Sequence, residues 1–151
     1  MHPPNVPSSR VPLRALVVDD STTLRRLMEL TLSPLGIELD FADSGEYAVA
    51  LTRAKRYDII FLDVMLPGMD GYRVCKAIKA DKRTKETPVI MLTSMNSAFD
   101  KVRGIMAGTN VYLTKPLDRN QLMQAIDKCL PRARASFGVP ARAAAAQPLS
   151  R

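Results

Sequence analysis

IIFLDVMLPGMDG, residues 59–71, decides the fold. Ile59, Ile60, Phe61 and Leu62 are apolar without alternation, the pattern of a strand covered on both faces, as in a parallel sheet flanked by helices. Asp63 closes the run, and Pro67, Gly68 and Gly71 prevent any regular element from continuing. A doubly buried strand has no structural use for an acid at its tip. The question is what else the chain brings to that end.

Working outward, strand-like and helix-like segments alternate five times. Residues 13–18 read as a first strand, and Leu24, Leu27, Met28, Thr31 and Leu35 then recur at helical spacing until Pro34 and Gly36 end the helix. Residues 37–42 are a second strand, with Ser44 the N-cap of a helix running through Ala54. The third strand spans 58–62, and Val74, Cys75 and Ile78 mark the helix after it. Residues 88–92 form the fourth strand; Phe99, Val102, Ile105 and Met106 mark a fourth helix that ends near Gly108. A short fifth strand covers 111–114. Asp118 and Gln121 form a capping box before a last helix striped by Leu122, Ala125, Ile126 and Cys129, which Pro131 follows. Five βα units predict a parallel sheet with helices on both faces, whose functional site lies beyond the carboxyl ends of the strands.

Polar residues collect at those ends. Asp19-Asp20 follow the first strand, Asp63 the third, Thr93-Ser94 the fourth and Lys115-Pro116 the fifth, while the second ends at Ala42-Asp43, which fits an edge position away from the site. Carboxylates about 4 Å apart repel by about 4 kcal/mol at an effective dielectric near 20, and one lysine cannot neutralise three of them. A hard divalent cation completes the charge balance, and an oxygen-only donor set without His or Cys favours Mg2+. One carboxylate is then free to act as a nucleophile toward phosphorus, and Asp63, standing alone on its strand, is the candidate. Mg2+, Lys115 and the Thr93 hydroxyl would face the three outer phosphoryl oxygens.

Composition removes other classes. The net charge is +7, but five of the 22 basic residues (Arg10, Arg132, Arg134, Arg142 and Arg151) lie in acid-free ends, so residues 13–130 carry +2. The reading is a disordered N-terminal tail over 1–12, one domain over 13–130 and a basic disordered tail over 131–151, too short for a DNA-binding output domain. The single histidine, His2, excludes a zinc cluster or a His-based triad, and Cys75 and Cys129 read as buried free thiols. No stretch reaches the ~20 apolar residues of a membrane span, and MHPPNVPSSR has no signal-peptide core, so the expected location is cytoplasmic.

VVDDS (17–21), FLDVMLPGMDG (61–71), MLTS (91–94) and YLTKP (112–116) resemble the receiver domain of two-component response regulators, the CheY-like fold. The resemblance implies strand order 2-1-3-4-5 and phosphoryl transfer from a histidine kinase. It implies Asp63 as phosphoacceptor and Mg2+ held by Asp20, Asp63 and the Met65 carbonyl, with Asp19 acting through water. Thr93 would be the switch hydroxyl, Tyr112 the switch aromatic and Lys115 the phosphate-facing cation, with a cis bond between Lys115 and Pro116. Met65 and Met95 would flank the phosphate. An effector protein would meet the face of the fourth helix, fifth strand and fifth helix, at Lys101, Val111, Arg119 and Met123, the domain being a monomer or a phosphorylation-dependent dimer. Residues 99–116 are similar to single-domain regulators of type IV pilus twitching motility. The expected function is therefore a phosphorylation switch rather than an enzyme. Two other readings are a Mg2+-dependent phosphohydrolase with an aspartyl nucleophile and a nucleic-acid-binding module that uses the basic tail.

Overall fold

The computed structural model describes residues 12–94, 103, 105 and 107–130. Five strands, β1 (Arg14–Val18), β2 (Glu38–Ala42), β3 (Ile59–Asp63), β4 (Val89–Thr93) and β5 (Val111–Thr114), pair in parallel in the order β2-β1-β3-β4-β5. The helices are α1 (Thr22–Leu32), α2 (Gly45–Ala54), α3 (Gly71–Ala80) and α4 (Arg119–Cys129). Arg103, Ile105 and Ala107 are also helical, in the segment predicted as a helix before β5. Phe99, Lys101, Val102 and Met106 lie outside the described residues, as do Met95 and the two predicted tails apart from Pro12.

β3 is the middle strand, and its unbroken apolar run has the predicted cause. Ile59 and Phe61 face a core layer completed by Leu24, Met28 and Leu32 of α1 and by Leu122 and Ile126 of α4. Ile60 and Leu62 face the opposite layer, with Ala48 of α2 and Val74, Cys75 and Ile78 of α3. Each such side chain removed from water contributes about 1.5–3 kcal/mol, so a strand buried on both sides resists displacement. β2 is an edge strand, its first four residues exposed or half-buried. Cys75 is buried and Cys129 half-buried, and neither is in a disulfide.

Local chemistry sets the element ends. The Ser21 and Ser44 hydroxyls accept the Leu24 and Tyr47 N–H groups at 3.2 Å, capping α1 and α2. After α1, one 3-10 turn over Ser33–Leu35 carries Pro34, and Gly36 leaves it in the left-handed conformation at φ 79°. Asp118 caps α4, but its carboxylate accepts the Asn120 N–H at 3.0 Å, one residue earlier than the capping-box register of Gln121 requires. Asp58, read as the start of the third strand, precedes it; its carboxylate accepts the Arg14 N–H at 2.9 Å and ties the entry of β3 to that of β1. Among the described residues no helix is long and apolar enough to cross a membrane.

Strand order reverses between β1 and β3: the chain steps from β1 outward to β2, then returns to the other side of β1. Loops diverge at such a point and leave a crevice at the carboxyl ends. Asp19-Asp20 and Asp63 flank it.

Candidate functional site

Asp19 follows β1 directly and is wholly buried. Its backbone N–H continues the ladder to the Ala42 carbonyl at 3.0 Å. Its Oδ1 accepts the Ser21 N–H at 2.7 Å, and the Arg25 Nε donates to its carbonyl at 3.2 Å. These contacts fix the carboxylate before any ligand arrives. Asp20, next along, is exposed.

Asp63 is the last residue of β3 and is 5% exposed. Its Oδ1 accepts the Met65 N–H at 3.1 Å, so the loop folds back on the acid. Gly71, the first residue of α3, makes that fold-back possible: its N–H donates to the Val64 carbonyl at 2.9 Å. A Cβ at Gly71 would collide with the Asp63 carbonyl oxygen and stand 2.8 Å from the Val64 Cα, so a side chain there displaces the backbone behind the acid.

Oxygens of Asp19, Asp20 and Asp63 lie within 4.8 Å of one another, the one such acidic cluster among the described residues. Lys115, immediately after β5, places Nζ 2.9 Å from Asp19 Oδ2 and 3.4 Å from Asp63 Oδ2. The loop bearing it is anchored by the Lys115 N–H on the Thr93 carbonyl at 2.7 Å, and the Lys115–Pro116 bond is cis. Thr93 ends β4 and is fully buried, opposite Thr114 of β5. Tyr112 pairs with Met91 and is half-buried against the α2–α3 core layer. Met65 is 62% exposed at the rim.

Electrostatics test whether this cluster suits a cation. Burial, and then the charge of Asp19, raise the Asp63 carboxyl above the ordinary carboxylate range, while the Met65 N–H and Lys115 pull the other way without prevailing. Burial alone would lower Lys115, but its hydrogen bond to Asp19 and the neighbouring carboxylate charges raise it, so it stays charged. Three acids share one ammonium, and the buried one resists ionisation. An all-oxygen set with that charge deficit fits a hard divalent ion such as Mg2+.

The sequence profile of the response regulator receiver domain matches residues 15–127. The chain belongs to this family. Receiver domains take phosphate from a histidine kinase and act as phosphoacceptors rather than, in general, as enzymes. Protein PilG of Pseudomonas aeruginosa is 41% identical over 119 residues, which cover 79% of this chain and 88% of PilG. Response regulator PleD of Caulobacter vibrioides is 41% identical over 105 residues, but these span 70% of this chain and only 23% of PleD. Among solved structures, the receiver domain of a Pseudomonas aeruginosa sensor histidine kinase superposes with a TM-score of 0.74 at 30% identity, covering 80% of this chain and 99% of that one. That structure has a magnesium ion coordinated in its active site cleft.

All the strand-end residues picked out in the sequence sit at one end of the sheet: Asp19, Asp20, Asp63 and Lys115 converge, and Thr93 adjoins them through β4. Sequence reasoning missed the supports: Ser21 and Arg25, which orient Asp19, and Gly71, which admits α3 behind Asp63. Only the position of Ser21, between an acidic pair and a helix, carried a signal.

Proposed function

We propose that this receiver accepts a phosphoryl group on Asp63 and uses it to remodel a protein-binding face. The observation that carries the reading is the ion-paired, buried Asp63 at the end of the middle strand, its charge only partly met by Lys115. Asp63 attacks the phosphorus of a kinase phosphohistidine; the P–N bond breaks and the imidazole nitrogen keeps the electron pair. Asp20, Asp63 and the Met65 carbonyl would hold Mg2+, with Asp19 acting through water, and the ion would supply charge neutralisation at the phosphoryl oxygens. Lys115 faces the same oxygens from the other side and holds its proton throughout. The Thr93 hydroxyl then turns toward the phosphoryl group, and Tyr112 follows into the space it leaves.

The affected face would comprise Ile105, Val111, Tyr112, Arg119 and Met123. Ile105 is 72% exposed, an apolar group suited to a protein partner. The resemblance of residues 99–116 to single-domain regulators of twitching motility, beside the 41% identity to PilG, supports a motility-type signalling role. The test is incubation with acetyl phosphate and Mg2+: one phosphate should be incorporated, and beryllofluoride should perturb the amides of Val111 and Tyr112. Labelling that survives Mg2+ removal in full, or turnover of many phosphoesters per chain, would contradict the reading.

A further inference from the structure

At the end of the sheet remote from Asp63, a cleft of about 260 Å3 opens between the last turn of α2, the segment entering β3 and the segment entering β4. A water occupies ~30 Å3 in the liquid, so the cleft has room for a multi-atom ligand. Arg53, Lys55, Arg56 and Arg83 line it, with Tyr57 and Thr87 between them.

The charges there do not cancel. Lys55 pairs with Asp40 at 3.0 Å, and Asp40 also accepts the Tyr57 hydroxyl at 2.6 Å, so that carboxylate is committed away from the arginines. Arg83 pairs with Asp81 at 3.1 Å. Arg53 and Arg56 have no hydrogen-bond or ion-pair partner among the described residues. Arg53 and Arg83, from separate segments, line the same cleft. Four cations and no acid line the concave space, and Lys55 and Arg83 are paired with acids outside it. The negative end of α2 accounts for a cation at Arg53, in its last turn, but not for Arg56 or Arg83, which lie outside the helices.

We propose that this cleft binds a small, multiply charged phosphate anion, gripped by the guanidinium groups of Arg53 and Arg56, with Arg83, forked onto Asp81, adding its charge beside them. Guanidinium presents paired N–H donors that match two phosphate oxygens, and flexible side chains on an exposed rim can close on one without moving the sheet. The five residues of β3, at about 3.3 Å each, put the cleft roughly 17 Å from Asp63, so this is a second anion site and not an extension of the first.

The test uses isotopically labelled full-length chain and inorganic pyrophosphate in the presence of EDTA, where the acidic cluster repels anions. Saturable amide shifts should appear in residues 52–57 and 83–87. An Arg53→Ala/Arg56→Ala chain should bind at least tenfold more weakly, with its melting temperature and its Asp63 phosphorylation unchanged. The Lys double substitution, which keeps charge but removes the fork, should fall between the two. Shifts confined to residues 63–65, 93 and 115 would overturn the proposal, as would drift no different from that in sodium chloride, or undiminished affinity in the alanine variant. Tighter binding of a DNA duplex than of pyrophosphate, lost in the same variant, would also overturn it and assign the cations to nucleic acid.

Discussion

Replacing Asp63 by Asn should stabilise the metal-free protein at neutral pH. Asn has the same shape but carries no charge. At an effective dielectric near 20, an Asp19 oxygen at the 4.8 Å limit of the cluster opposes ionised Asp63 by about 3.5 kcal/mol, while Lys115 at 3.4 Å favours it by about 5 kcal/mol. Exposed Asp20, in water-like surroundings, adds about 1 kcal/mol of repulsion, so the Coulombic contributions nearly cancel and burial decides. Burial then leaves ionised Asp63 disfavoured, the direction in which its carboxyl is raised above the ordinary range. A group whose folded value is raised contributes stability below its unfolded value, near 4, and loses that contribution as pH rises through the folded value. In EDTA, Asp63→Asn should therefore melt about 3–8 °C above wild type at pH 7.5, with the gap closing toward pH 4. Saturating Mg2+ should narrow the gap by raising wild type more. A variant less stable than wild type in EDTA, or a gap that ignores pH, would refute the charge argument.

Two substitutions test the scaffold. Phe61→Ala removes a fully buried ring from the strand that carries Asp63 and should cost about 3–5 kcal/mol in urea unfolding, with unchanged m-value. Gly71→Ala forces a methyl against the Asp63 carbonyl and should cost about 1–3 kcal/mol; it should also slow phosphorylation, which a remote lesion of equal stability cost would not.

The sheet could be read in advance because burial on both faces leaves a plain trace. Ile59–Leu62 and Val89–Leu92 are apolar at every position, and only a covered parallel strand needs that. The site could be read because its residues break those runs abruptly: Asp19, Asp63 and Thr93 each follow four apolar residues. The supports were hidden for a different reason. The bond from Arg25 to the Asp19 carbonyl depends on a rotamer, and Arg also reads as an ordinary exposed residue on α1. Gly71 reads as a loop residue in the sequence, since its close approach to Asp63 arises only once α3 docks on the sheet. Asp58, next to Ile59, reads as part of the strand, although its carboxylate serves the start of β1. The basic cleft unites Arg53 and Arg56 with Arg83 across α3, and no local spacing announces that meeting.

The most direct measurement is the position of the phosphate itself. After reaction with acetyl phosphate and Mg2+, hydride reduction traps an acyl phosphate as a stable alcohol whose place in the chain can be read by peptide mass mapping. The account predicts conversion at Asp63 alone, abolished in the Asp63→Asn variant. Conversion at Asp19 or Asp20, or undiminished labelling of that variant, would contradict it.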